Sequence, residues 1–249
     1  MIHEETIQKM LELRLHAMAH AARELANTAP GKELTVAEIL GMIVDREHVD
    51  RDNRRLVRRL KEARLPANAA SVEEVTCDSV RGLEKATIRA LGTCAWVRAK
   101  QNVITIGATG TGKSFLAAAL AQAACRAGFR AIFTRTPRLL NELAIARGDG
   151  SYVKLLEKIA RADVLVLDDF LIAPLKEHER RDLLEVLEDR YDRASTAITS
   201  QVPTKTWHEA LSDPTIADAI CDRVVHNAHI VTLRGPSMRK RKAAAIEQS

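Results

Sequence analysis

The sequence predicts an α/β protein: a parallel sheet covered by helices, preceded by a small helical domain. Three observations carry this. From residue 79 onward, short β-rich apolar runs alternate with helical stretches, the pattern of parallel strands joined by crossover helices. The first 64 residues instead place apolar residues at three- and four-residue steps with no strand pattern among them. Between the first strand run and the next helix lies a glycine-rich loop.

The elements follow in order. Ile7, Leu11, Leu15, Met18, Ala22 and Leu25 lie on one face of a helix predicted over about 4–28. Pro30 and Gly31 break it. Thr35 followed three residues later by Glu38 is a capping-box pattern. It opens a second helix that runs to about Arg64, where Leu65-Pro66 stops it. Residues 67–78 read as a linker, and 79–98 as a helical stretch. Strands are predicted at 102–106, 130–134, 163–168, 195–200 and 229–233. Helices are predicted at 113–127, 136–147, 151–161, 176–193, 204–211 and 213–226. The expected domains are therefore a helical domain over 1–66, the linker, an α/β domain over 79–235 and a basic tail over 236–249.

Composition excludes some classes. Of 249 residues, 46% are hydrophobic and 29% charged, enough for a core and too apolar for a wholly disordered chain. Lys plus Arg number 38 against 33 Asp plus Glu, a net charge of +5, which favours phosphate backbones as partners. Aromatics are only 3%, too few for base-stacking platforms on single strands. The four cysteines form no CxxC pair, so no zinc site is indicated. No run approaches the ~18 apolar residues of a membrane span, and the N-terminus lacks a signal-peptide core. A cytoplasmic protein without a membrane partner is expected.

The strongest motif is Gly107-Ala108-Thr109-Gly110-Thr111-Gly112-Lys113-Ser114. It matches the phosphate-binding P-loop in full, with an apolar strand before it and an Ala/Leu-rich helix after it, whose Phe115 is counted with the nucleotide-binding residues. The glycines let backbone N–H groups face phosphate oxygens, and the next helix adds its positive end. Lys113 is placed to meet the β- and γ-phosphates of ATP, and the Ser114 hydroxyl to bind Mg²⁺. About fifty residues on, an apolar strand ends in Asp168 and Asp169. Asp168 is the second Mg²⁺ ligand of such a site, and Asp169 the carboxylate that polarises the attacking water. The strand after it ends in Ser200-Gln201. Gln201 either senses the γ-phosphate or is simply a polar strand exit. Arg223 ends a helix and is either an arginine finger acting on a neighbouring subunit or a cation paired locally to Asp218 or Asp222.

The second N-terminal helix carries its own signal. Leu56, Val57, Leu60 and Ala63 share one face, while Arg51, Arg54, Arg58 and Lys61 lie opposite, flanked by Arg55 and Arg59. A basic stripe of this kind tracks a phosphate backbone; Glu47, Asp50, Asp52 and Glu62 could instead balance it as a solvated face. The Arg239-Lys-Arg-Lys242 cluster is a second basic patch.

Taken together these segments resemble the IstB-type transposition helper ATPases, a AAA+ family related to the DnaC-type helicase loaders. The likeness is carried by Arg51–Pro66, the P-loop, Leu167–Leu175, Arg181–Tyr191, Thr199–Pro203 and Asp213–Ala228. It implies an AAA+ sheet, ATP hydrolysis with Mg²⁺, a homo-oligomer on double-stranded DNA, and work with the transposase of the same element. It also implies that Arg223 acts in trans. A helicase loader with the same core is the alternative, and a nucleotide switch without turnover a third. The chain departs from the wider pattern in two places: Asp169 stands where many relatives have Glu, and Gln201 where Asn is usual. Only 26 residues follow Arg223, too few for a full lid domain, so Arg239 is the one candidate for a lid-borne sensor.

Overall fold

The computed structural model describes residues 4–27, 34–67, 69 and 71–238. The chain divides into two compact units, Met1–Arg58 and Arg59–Ser249. The boundary falls inside a helix rather than at residues 67–78.

The first unit holds α1 (Glu4–Glu12), α2 (His16–Asn27) and most of α3 (Val36–Glu62). The single helix expected over 4–28 is two helices. Arg14 takes a left-handed backbone (φ 59°) and ends the first, and α2 turns back so that Arg23 reaches Glu4. The apolar spacing runs on through the break, so periodicity alone does not reveal it. What fixes α2 is distant in sequence: the buried Glu47 carboxylate accepts from the Ala17 and Met18 N–H groups at 2.9 and 3.1 Å. It thereby caps two of the helix's free first-turn donors. Ala21, Ala22 and Ile43 form the small core beneath it. The capping box at Thr35 and Glu38 is present, with the Thr35 N–H donating to Glu38 at 2.8 Å. Pro30 and Gly31 lie outside the described residues.

The second unit is the α/β domain. Its strands are β1 (Asn102–Gly107), β2 (Ala131–Arg135), β3 (Val164–Phe170), β4 (Ser195–Ser200) and β5 (Ala228–Leu233). They form one sheet in the order β2-β3-β4-β1-β5, with every pairing parallel. The helices are α4 (Lys85–Gly92), α5 (Ala95–Arg98), α6 (Lys113–Arg126), α7 (Thr136–Asp149), α8 (Tyr152–Ala160), α9 (Glu177–Glu188), α10 (Trp207–Leu211) and α11 (Pro214–Val225). The central strands β1, β3 and β4 are buried on both faces, as crossover connections require, while edge strand β5 exposes His229, Ile230 and Thr232. The Phe170 and Trp207 rings meet at a tilt of 48°, centroids 4.7 Å apart, within the core.

Three expectations change. Residues 67–78 include a short 3₁₀ turn, Val72–Glu74, with Val75 buried and Glu73 paired to Arg126 of α6. The 79–98 stretch is a 3₁₀ turn and two helices, broken where Cys94 turns left-handed (φ 57°). α9 stops at Glu188, because Arg190 turns inward and is 1% exposed. Its guanidinium donates to the carbonyls of Ile159, Ala162 and Ser195 at 2.7, 2.8 and 2.5 Å. Asn102 ties the same edge of the sheet: its side chain accepts from Thr196 N–H and donates to the Arg223 and Val224 carbonyls.

Two stability tests follow from these buried polar groups. Arg190→Met removes the guanidinium that donates to three buried carbonyls and should cost about 3 kcal/mol or more by urea unfolding. Burial pushes the Glu47 carboxyl up, but the Met18 N–H, Arg51 and the Ala17 N–H together hold it below its usual value. A depressed carboxyl stabilises the fold above the ordinary carboxylate range, and that stability is lost as pH falls through the folded-state value. Acid titration followed by circular dichroism should therefore melt the N-terminal helices early, and Glu47→Gln should flatten that pH dependence.

Candidate functional site

The site lies at the carboxyl ends of β1, β3 and β4. β1 runs into the P-loop, and α6 begins at Lys113 with Gly112 as its N-cap residue at φ 98°. That left-handed backbone suits only glycine without strain. A side chain at Gly107 would strike the Leu233 carbonyl oxygen of β5. The loop is closed from within by Thr111, whose hydroxyl donates to the Ala108 carbonyl at 2.8 Å. Lys113 is 6% exposed and curls back so that Nζ donates to the same Ala108 carbonyl at 2.9 Å. Ser114 and Phe115 follow in the first turn of α6, half-buried. The first-turn N–H groups have no partners within the helix, and the macrodipole adds positive potential there.

Two segments brace the loop from outside, and neither was singled out from the sequence. Arg81 is 6% exposed and donates through Nη2 to the Thr111 carbonyl at 2.5 Å. The Met238 N–H donates to the Gly110 carbonyl at 2.8 Å, with Ser237 beside Gly110. Arg239 and the basic cluster after it lie outside the described residues.

The acidic end of β3 carries a bulge. Leu167 pairs with Ile198 and Phe170 with Ser200, so β3 spends one more residue than β4 over the same span. Asp169 occupies it in a left-handed conformation, φ 56°. A bulge re-aims the side chains around it, and here it sends the two carboxylates to different partners. Asp168 is 6% exposed and accepts from the Thr199 hydroxyl at 2.5 Å. Asp169 meets Arg135, whose Nε and Nη2 both approach Oδ2, at 2.9 and 2.7 Å. The Asp169 N–H donates to the Thr199 hydroxyl at 3.1 Å.

β4 joins the two halves. Its Thr199 touches the Asp168 carboxylate and the Asp169 N–H, and Gln201, just past its end, accepts from the Thr109 hydroxyl of the P-loop at 2.8 Å. Lys113, Thr109, Gln201, Asp168 and Asp169 thus belong to one contact network at one edge of the sheet. Sequence reasoning missed Thr199 and Arg135. Neither carries a local signal, because the register that sets Arg135 opposite Asp168 and Thr199 opposite Thr105 exists only in the fold.

The donor set fits a magnesium nucleotide. The loop offers backbone N–H groups, a lysine and a helix N-terminus for phosphates, while Ser114 and Asp168 carry the hard oxygens that would suit Mg²⁺. Among the described residues there is no cluster of three or more His, Cys, Asp or Glu side chains to hold a metal without phosphate oxygens.

Arg223 is not part of this edge. Its backbone carbonyl accepts from Asn102 at the start of β1, whereas the P-loop leaves the strand's far end, about 16 Å away. It pairs with neither Asp218 nor Asp222. Nη2 donates to Glu188 Oε1 at 2.7 Å, and Nε lies 2.5 Å from Oε2.

The basic face of α3 is partly neutralised. In the first unit Arg51 pairs with Glu47 at 2.8 Å, Arg54 with Asp50 at 2.9 Å and Arg55 with Asp52 at 3.2 Å. Arg58 is exposed, and no ion pair holds it among the described residues. Val57, expected on the apolar face, is 66% exposed. In the second unit Ala63 is buried and its carbonyl accepts from the Phe133 N–H of β2 at 2.8 Å. Arg59 is half-buried there, and Lys61 is exposed.

Comparison with known proteins gives the family. The model of the IstB-like ATP binding proteins matches residues 8–245. An insertion sequence ATP-binding protein of Sinorhizobium fredii is 44% identical over 240 residues, covering 96% of this chain and 98% of its own. The ATP-binding protein of insertion sequence IS1162 from Pseudomonas fluorescens is 41% identical, covering 86% of this chain and 93% of its own. Among solved structures, the DnaC helicase loader superposes with a TM-score of 0.55 at 18% identity, over 66% of this chain and 97% of its own. AMPPCP-bound DnaA from Aquifex aeolicus superposes at 0.57 and 16% identity, over 74% and 57%. These two share the AAA+ fold of the second unit's sheet and P-loop. No helix among the described residues is long and apolar enough to cross a membrane. With a P-loop, an acidic β3 end and a family match along nearly its whole length, the chain belongs to the IstB-like ATP binding proteins of insertion sequences.

Proposed function

We propose that this chain hydrolyses ATP, assembles as a homo-oligomer on duplex DNA, and helps the transposase of its element to select or remodel target DNA. The observation that carries the ATPase reading is the bridge through β4. Thr199 holds Asp168 and Gln201 holds Thr109, so the phosphate loop and the acidic strand end are fixed relative to each other.

The residues then divide the work. Lys113 and the N–H groups of 107–115 hold the phosphates. Ser114 and Asp168 hold Mg²⁺, which when bound offsets charge on the phosphate oxygens. Asp169 orients the attacking water through Oδ1, because Arg135 occupies only Oδ2. Gln201 stands beside the γ-phosphate position. Arg223 cannot reach its own P-loop across the strand, which supports its action on a neighbouring subunit. Turnover then requires assembly, and DNA is the natural template for it.

The DNA reading rests on the later turns of α3, from Arg51 onward, where Arg58 and Lys61 are the exposed cations with no ion pair among the described residues. Arg51 and Arg54 are already engaged by acids and contribute less, and Arg55 and Arg59 flank. The name shared by the relatives, insertion sequence ATP-binding protein, supports the transposase as partner.

Lys113→Ala should abolish nucleotide binding in a fluorescent-nucleotide titration. Asp169→Asn should keep binding and lower turnover by about 10²-fold or more; retained turnover would remove Asp169 from the mechanism. In duplex-binding titrations over a salt series, Arg58→Ala should weaken binding and reduce the log–log salt slope by about 0.9 for each phosphate that Arg58 neutralises. An unchanged slope would remove Arg58 from the interface.

A further inference from the structure

We propose that Glu188 is a positioning residue for Arg223, holding its guanidinium pre-set for delivery to the nucleotide of a neighbouring subunit. This rests on the trans role proposed above for Arg223.

The geometry is that of a bracket. Glu188 is the last residue of α9, a helix with no basic residue in its final turn. A carboxylate there faces the negative end of the macrodipole and is unfavourable without a nearby cation. Arg223, near the end of α11, supplies that cation. Nη2 hydrogen-bonds Glu188 Oε1 at 2.7 Å, and Nε lies in ion contact with Oε2 at 2.5 Å. Nη1 donates to the Ala219 carbonyl one turn back at 3.0 Å. The Tyr191 ring lies 5.9 Å from Cζ, within cation–π range. The backbone end is pinned as well, since buried Asn102 donates to the Arg223 and Val224 carbonyls.

A free arginine side chain carries about 2 kcal/mol of rotamer entropy. Most of it is already given up here. A guanidinium has five N–H donors. One bonds Glu188, one bonds Ala219 and the Nε–H is shielded beside Glu188 Oε2, leaving two for a phosphate oxygen. Arg223 keeps 24% of its side chain exposed, so the side chain is open in part to a group from outside the subunit. Glu188 leaves the charge in place and removes the search over rotamers, which acts on turnover rather than on nucleotide affinity.

The test has two arms. In the isolated wild-type subunit without nucleotide, ¹⁵N NMR of arginine side chains should show a shifted, slowly exchanging Arg223 Nε–H signal, assigned by its disappearance in Arg223→Lys. Glu188→Ala should return it to the position of solvated arginines, and an unchanged signal overturns the proposal. The second arm mixes two inactive chains on duplex DNA. Lys113→Ala subunits can donate Arg223, and Arg223→Ala subunits can receive it, so the mixture should recover ATPase activity. Glu188→Ala on the donor chain should lower the recovered kcat about five-fold with KM unchanged, the scale of a partly exposed ion pair, with Glu188→Gln restoring part of it. On the acceptor chain, whose own arginine is gone, the substitution should add no further decrease. No recovery in the original mixture defeats the trans role of Arg223 itself. Recovery that donor Glu188→Ala leaves unchanged or raises, or that falls equally with the acceptor variant, defeats the positioning role alone.

Discussion

Because β4 is hydrogen-bonded to β1 on one side and to β3 on the other, everything the site needs arrives at one edge of the sheet. The P-loop leaves β1, the carboxylates end β3, and β4 supplies the hydroxyl and the amide that link them. In a parallel sheet all strand ends of one kind lie together, so a single sheet edge collects groups that are far apart in sequence. The bulge at Asp168–Asp169 depends on the same ladder. Only against a regular β4 can one extra residue in β3 turn the two neighbouring carboxylates toward different partners. The Thr199 hydroxyl, serving Asp168 as donor and the Asp169 N–H as acceptor, holds both in place.

The opposite edge of the sheet is built as tightly and for a different end. Asn102 and Arg190 fill it with side-chain donors that meet main-chain carbonyls of helix ends and turns. Burying these groups is tolerable only because nearly every bond is made. The consequence reaches Arg223: its helix is fastened at the end of β1 that lies away from the P-loop. An arginine fixed there lies away from its own P-loop, which is the position the proposed trans role requires.

The N-terminal unit shows how position converts charge. Counted along α3, the arginines form one stripe. In the fold, Glu47 is drawn inward by the free N–H groups of α2, and Arg51 follows it. Arg54 and Arg55 find acids within a turn. The surplus that can meet a polyanion is therefore narrower than the stripe, concentrated toward Arg58 and Lys61. An exposed ion pair costs little to break, so Arg54 and Arg55 remain available at reduced strength, whereas Arg51 is held by a buried carboxylate.

Local sequence by itself determined the sheet, its strands within a residue or two, the capping box at Thr35, the P-loop and the acidic end of β3. Each is written in adjacent residues: periodicity, glycine placement and a carboxylate pair after an apolar run. The break at Arg14, the inward turn of Arg190, the Asp169–Arg135 pair, the Thr199 link, the Arg81 brace and the Arg223–Glu188 bracket were decided only by the tertiary structure. In each of these the partner lies from 5 to 35 residues away, or the backbone takes a left-handed turn that side-chain type does not demand. Chain periodicity reports which face of an element is apolar, whereas a hydrogen bond between side chains depends on register and crossing geometry. That is why the chemistry of this site was legible as a list of groups, and its wiring only as a fold.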